Sequence, residues 1–182
     1  AVQALDEGFT FYTENAGLPG LRQALADQYG ELHGVHLDPR TEIAVTASGV
    51  QALNVSIRCT LDPGDEAIVL TPNWPNASAI VGLYGGCARE VPLVWRDGRY
   101  GLDLPALQAA LSARTRLLVY TSPSNPLGWV ARPTEQAVLL DFCRRHGLWL
   151  LADEVYERIY LAGPVAPSLL RLCTRDDAVI VV

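Results

Sequence analysis

Two apolar runs, Leu117 to Tyr120 and Leu148 to Ala152, each end abruptly in polar residues, and a helical stretch from Thr134 to His146 separates them. Short apolar runs of this kind read as strands of a parallel sheet buried on both faces. Two of them joined through a helix make a β-α-β unit. Open parallel sheets bind ligands just beyond the carboxyl ends of their strands. The residues that follow the two runs are Ser122-Pro123-Ser124-Asn125-Pro126 and Asp153-Glu154-Val155-Tyr156. They are therefore expected to bring an amide, a carboxylate and a phenol to one crevice.

The rest of the chain continues the alternation of strand and helix. A helical lead-in at Ala1 to Glu7 is followed by the breaker Gly17-Leu18-Pro19-Gly20 and a helix from Leu21 to Leu32. Glu42 to Val45 is expected as a short strand, and Ser48-Gly49 opens a helix through Cys59. After the turn Leu61-Asp62-Pro63-Gly64-Asp65-Glu66 come a strand at Ala67 to Leu70, a helix at Asn73 to Tyr84 closed by Gly85-Gly86, and a strand at Ala88 to Leu93. The turn Arg96-Asp97-Gly98-Arg99 precedes a helix at Leu104 to Leu111 capped by Asp103. Beyond the β-α-β unit lie a Pro-rich loop at Ala162 to Ser168, a short helix at Leu169 to Leu172 and a final strand at Ala178 to Val182. The expected fold is α/β: a doubly wound, mostly parallel sheet with helices on both faces.

Composition narrows the function. Apolar residues make up 49% of the 182, enough for a sizeable core. The net charge of −6 and the lack of a basic block speak against a nucleic-acid surface. No apolar stretch approaches the ~20 residues of a membrane helix. Cys59, Cys87, Cys143 and Cys173 are widely spaced, without a C-x-x-C pair, and read as reduced thiols of an intracellular, cytoplasmic protein. All 14 basic residues are arginine, and there is no methionine, so the chain reads as part of something longer.

Each candidate residue also has a plain reading. Asp153 alone could open a solvated loop, bind a metal or cap a helix. A lone Tyr156 packs, and Asn125 between two prolines is most simply a turn residue. Ser48-Gly49-Val50, at a strand-to-helix turn, presents free backbone N–H groups and the positive end of a helix dipole to an anion such as phosphate, although many such turns contain Ser-Gly. Trp74, in Thr71-Pro72-Asn73-Trp74-Pro75-Asn76, could stack on a planar ring or pack beside its prolines.

Taken together and in order, these segments resemble the class I/II pyridoxal-phosphate-dependent aminotransferases of fold type I. The matching stretches are Tyr12 with Gly17-Leu18-Pro19-Gly20-Leu21-Arg22, Thr46-Ala47-Ser48-Gly49, Pro72-Asn73-Trp74-Pro75, Ser122-Pro123-Ser124-Asn125-Pro126-Leu127-Gly128, and Asp153-Glu154-Val155-Tyr156. The resemblance implies pyridoxal 5'-phosphate as cofactor, with Asp153 on its pyridine nitrogen and Asn125 and Tyr156 on its phenolic oxygen. Trp74 would lie on the ring face, and Ser48, Gly49 and Val50 would hold the phosphate. Tyr12 would reach the phosphate of a neighbouring subunit, which implies a homodimer. The substrates implied are an L-amino acid and a 2-oxo acid.

The chain departs from the family pattern in three places. Leu127 stands where threonine is frequent, and Ser48 where glycine is frequent. The third departure is the absence of lysine. In the family, a strand like Ala178 to Val182 leads into the segment whose lysine bonds the cofactor. The expectation is that residues 1–182 form part of the cofactor-binding large domain. The lysine, the N-terminal arm and the C-terminal small domain would then lie outside it. Other pyridoxal-phosphate chemistry (a C–S lyase or a cyclising synthase) shares the same motifs, as does the aminotransferase-like effector domain of some transcription regulators.

Overall fold

The computed structural model describes residues 1–182, which divide into two units, Ala1–Ala47 and Ser48–Val182. In the first unit, α1 (Val2–Asp6) precedes α2 (Pro19–His33). Pro19 suits the first turn of α2, where its missing N–H is not needed. Gly34 ends the helix in the left-handed region at φ 69°, donating to the Gly30 carbonyl. The strand expected at Glu42 to Val45 does not form. Instead the Val45 N–H reaches the Ala16 carbonyl at 2.9 Å, where the chain crosses itself. Gly17 is required at that crossing, since a Cβ there would lie 2.6 Å from the Val45 Cβ. Arg22 is buried, and its guanidinium donates to the Glu14 carboxylate and the Arg40 carbonyl.

The second unit runs α3 (Gly49–Thr60), β1 (Glu66–Thr71), α4 (Asn76–Leu83), β2 (Cys87–Pro92), β3 (Val94–Arg96) and β4 (Arg99–Gly101). It continues through α5 (Leu104–Ala109), β5 (Thr115–Thr121), α6 (Pro133–His146), β6 (Trp149–Asp153), a 3-10 turn at Leu169–Leu172, and β7 (Val179–Val181). Five strands pair in the order β2-β1-β5-β6-β7, every neighbouring pair parallel. The α/β sheet expected from the sequence is therefore present, with helices on both faces.

Period-two alternation sorts the strand residues into two cores. Ala67, Val69, Leu117, Val119 and Leu151 pack with Leu53 and Ile57 of α3 and with Ile80 and Val81 of α4. Ile68, Leu70, Leu118, Tyr120 and Leu150 face the other way, onto Leu107 of α5 and Leu139 and Phe142 of α6.

Two departures from the sequence reading have a clear local reason. Helix α4 starts at Asn76 rather than Asn73, because the residue before a proline is pushed out of the helical region and Trp74 precedes Pro75. The turn around Asp97-Gly98 closes an antiparallel hairpin, β3 with β4. Both of its central residues have positive φ, 51° and 77°, which matches the twist of a two-residue hairpin.

At the amino end of the sheet Glu66 is fully buried. It accepts from Arg89 at 3.1 and 3.0 Å, from Arg114 at 3.2 and 2.6 Å, and from the Ser112 hydroxyl at 2.9 Å. Hydrogen bonds from Arg89 first, then Arg114 and Ser112, outweigh desolvation and hold its carboxyl down at about 2, against an ordinary 4.5. A depressed acid stabilises the fold fully above its ordinary value and loses that contribution as pH falls toward the folded value. Glu66→Gln should therefore lower the melting temperature by several degrees at neutral pH. The gap to wild type should narrow as melts are repeated from about pH 6 down to about pH 3; a gap independent of pH would contradict this account.

Candidate functional site

The chain winds outward from the centre of the sheet in both directions. From β1 it passes through α4 to β2, while β5 lies on the other side of β1 and leads through α6, on the opposite face, to β6. The reversal falls between β1 and β5, and the carboxyl ends of strands at such a switch point open a crevice. Thr71 to Trp74 leave β1 on one side of it, and Thr121 to Asn125 leave β5 on the other.

Strand register then places the carboxylate. Thr121 of β5 pairs directly with Asp153 of β6, and the Thr121 hydroxyl donates to Asp153 Oδ2 at 3.3 Å. The Val155 N–H approaches Oδ1 at 3.4 Å. Both bonds are long. Asp153 is only 7% exposed, and no arginine forms an ion pair with it. Burial raises its pKa above the usual value, with the two weak bonds pulling the other way. A buried carboxylate without a cation is a group in want of a positively charged N–H donor.

Beside it, Asn125 and Tyr156 bridge the loops after β5 and β6: the Asn125 amide donates to the Tyr156 hydroxyl at 3.1 Å. The phenolic O–H remains able to donate outward. The Asn125 loop is held from within. Ser122 Oγ accepts from the Ala131 N–H at 2.9 Å, Ser124 Oγ accepts from the Trp129 N–H at 3.1 Å, and the Ser122 N–H reaches the Asp153 carbonyl at 2.9 Å. Ser122 and Ser124 are thus builders of the loop, a role their place in a polar motif does not reveal.

The anion site expected at Ser48-Gly49-Val50 lies at the start of α3. Ser48 caps the helix, accepting from the Gln51 N–H at 3.2 Å. A Cβ at Gly49 would stand 2.8 Å from Val155 Cγ1 and 3.9 Å from Val182 Cγ1. Only glycine lets the positive end of α3 approach the segment that follows β6, two residues from Asp153. Val50 is exposed on the first turn. Trp74 is 52% exposed, so its ring is not tucked among its prolines. The Nδ2 of neighbouring Asn73 is buried without a partner, a donor the sequence reading passed over. Tyr12 belongs to the first unit and is fully exposed there. A hydrogen bond therefore unites Asn125 with Tyr156, and close approach brings Gly49 to the Asp153 loop; Trp74 and Val50 share the edge without such a link.

Glu154 is a further buried acid that the sequence pattern does not single out. Alternation turns it away from Asp153, toward the core that holds Tyr120 and Leu169. Its Oε1 accepts from the Leu169 N–H at 2.7 Å, its own N–H donates to the Val182 carbonyl at 2.8 Å, and Oε2 is buried without a hydrogen bond. Burial is the main force that pushes its carboxyl up to about 7, from an ordinary 4.5. A raised acid favours the protonated fold, so its stabilising effect is complete below 4.5 and is lost as pH rises to about 7. Glu154→Gln keeps the acceptor for Leu169 and removes the titration. The variant should melt higher than wild type near pH 8 and match it near pH 4, within roughly the range set by one proton; parallel curves would refute the assignment.

The edge as a whole offers an unpaired buried carboxylate, an amide–phenol pair and a helix N-terminus. This set suits a ligand carrying a cationic N–H, an anionic oxygen and a phosphate-like group.

Known proteins resemble this chain over most of its length. The family model described as aminotransferase class I and II matches residues 1–182. The chain is 37% identical over 161 residues to a probable aspartate/prephenate aminotransferase of Thermus aquaticus, an alignment covering 88% of this chain and 42% of the relative. It is 36% identical over 160 residues to a probable N-succinyldiaminopimelate aminotransferase of Mycobacterium tuberculosis, covering 87% and 40%. Among solved structures, the N-succinyldiaminopimelate aminotransferase of Mycobacterium tuberculosis superposes with a TM-score of 0.93 at 30% identity, over 99% of this chain and 47% of that one. The aromatic aminotransferase of Pyrococcus horikoshii gives 0.90 at 32% identity, over 99% and 48%. The chain spans about two-fifths of the length of the curated relatives it matches.

Proposed function

The chain belongs to the class I and II aminotransferase family, and on that premise we propose that it is the cofactor-holding part of an enzyme that moves an amino group from an L-amino acid to a 2-oxo acid with pyridoxal 5'-phosphate. The observation that carries this reading is Asp153: buried, weakly hydrogen-bonded and without a cation, beside an amide–phenol pair and a helix N-terminus. When bound, the cofactor supplies an electron sink for charge that develops at the α-carbon of an amino acid.

The residues present fit that group. Asp153 accepts from the protonated pyridine nitrogen and keeps the proton there, since a desolvated carboxylate gains most from a charged donor. Asn125 and Tyr156 hold the phenolic oxygen and set the tilt of the ring. Trp74 covers a ring face and excludes water from it. The start of α3, with Ser48, Gly49 and Val50, takes the phosphate. Tyr12, on an exposed run with Phe9 and Phe11, serves the phosphate site of a second copy, which makes the working enzyme a homodimer.

Residues 1–182 contain no lysine, and we propose that the amine that bonds the cofactor, the small domain and the N-terminal arm belong to parts of the protein outside them. We place the enzyme in the cytoplasm, in keeping with its four free cysteines. No helix is long and apolar enough to cross a membrane. The relatives described above are all named aminotransferases, which favours amino-group transfer over C–S lysis, ring closure or an effector domain.

Two outcomes test the reading. The chain by itself should show no transamination with any amino acid and 2-oxo acid pair, while binding pyridoxal phosphate non-covalently. Equilibrium dialysis should show Asp153→Ala weakening that binding by roughly 10- to 100-fold, the worth of a hydrogen bond to a charged group. Equal affinity in wild type and variant would remove Asp153 from the cofactor site.

A further inference from the structure

A second cavity, of about 400 Å³, opens between the β3–β4 hairpin, the loop leading into α6, and Tyr160. None of the crevice residues named above lines it. Its volume is in the range of sites for small organic ligands, which are about 300–1,000 Å³. Four aromatic side chains contribute to the lining: Trp95, Tyr100, Trp129 and Tyr160. Trp95 and Tyr100 meet edge to face with ring centres 5.0 Å apart, leaving flat surface for a further ring.

Two polar groups distinguish this cavity from a merely greasy groove. Trp129 is 5% exposed, and its indole N–H is buried without an acceptor. An indole nitrogen only donates, and a small shift of the lining would let it meet an oxygen or other acceptor brought by a ligand. Arg132 also lines the cavity and forms no ion pair. The neighbouring guanidinium, Arg99, is already neutralised by Glu135 through bonds of 3.2 and 2.9 Å. One positive charge is thus left for a ligand, in a cavity whose lining also includes the residue with the unmet N–H donor and a set of rings.

We propose that this cavity binds a planar aromatic carboxylate, its ring against Trp95 and Tyr100 and its carboxylate between Arg132 and the Trp129 N–H. The rings supply stacking and apolar contact, and the guanidinium and indole supply two donors to one anionic group. The site is separate from the crevice and does not depend on what the crevice binds.

The test uses 2-naphthoate, which carries neither the amino nor the 2-oxo group of a transamination substrate, and its neutral amide. Saturation-transfer NMR with the whole chain should detect naphthoate binding below roughly 5 mM, a weak affinity typical of a small ligand in an open site. The amide should bind about 10-fold more weakly, for want of the charge-assisted bond. Arg132→Gln, at an exposed position that leaves the core untouched, should weaken naphthoate by a similar ~10-fold. Trp129→Phe keeps the ring, removes the donor, and should weaken it by roughly 3- to 10-fold. Saturating pyridoxal phosphate should leave naphthoate bound. Absence of binding at that concentration, equal binding of acid and amide, indifference to Arg132→Gln, or displacement by pyridoxal phosphate would each overturn the proposal.

Discussion

The ladder between β5 and β6 is the constraint on which the rest of the molecule depends. Its register, Leu117 opposite Trp149 through Thr121 opposite Asp153, decides which side chains meet at the carboxyl edge. A slip of one residue would turn Asp153 to the face that now holds Tyr120 and Leu139, and Glu154 to the crevice. The buried runs make such a slip costly. Leu117, Val119 and Leu151 fill one core while Leu118, Tyr120 and Leu150 fill the other, so both faces of the sheet specify the same register.

The two ends of this sheet treat buried acids in opposite ways. At the amino end, Glu66 is surrounded by Arg89, Arg114 and Ser112 and has every oxygen bonded. That carboxylate is satisfied and belongs to stability. At the carboxyl end, Asp153 has two long bonds and no cation, and Glu154 keeps one oxygen without a partner. Folding leaves these groups short of what water gave them, and at Asp153 that is the feature on which the proposed cofactor site rests. The Ser122 and Ser124 hydroxyls hold the backbone of the Asn125 loop in place, and Gly49 leaves room for Val155.

Much of this was legible in the chain because it depends on short-range chemistry. Apolar runs of four or five residues announced β1, β5 and β6, and the Gly-Pro-Asp turns announced the breaks between elements. The start of α4 is hidden in the sequence, since the conformational limit that Pro75 sets on Trp74 acts over one peptide bond inside an otherwise helical pattern. The failed strand at Glu42 to Val45 has the reverse cause: β-branched residues suit a strand, but a strand also needs a ladder, and Val45 instead crosses Ala16 and Gly17.

By itself the sequence determined the α/β alternation, the polar ends of the strands, the helix start at Ser48-Gly49 and the family resemblance, because each is written in neighbouring residues. Only the tertiary structure decided that Thr121 stands beside Asp153, that Gly49 touches the segment after β6, that Glu154 turns into the opposite core, and that Trp129 and Arg132 share a second cavity. These are relations between residues from 3 to more than 100 positions apart. They arise from strand register and from helices packing across both faces of a sheet, and no local pattern encodes a distance across a core.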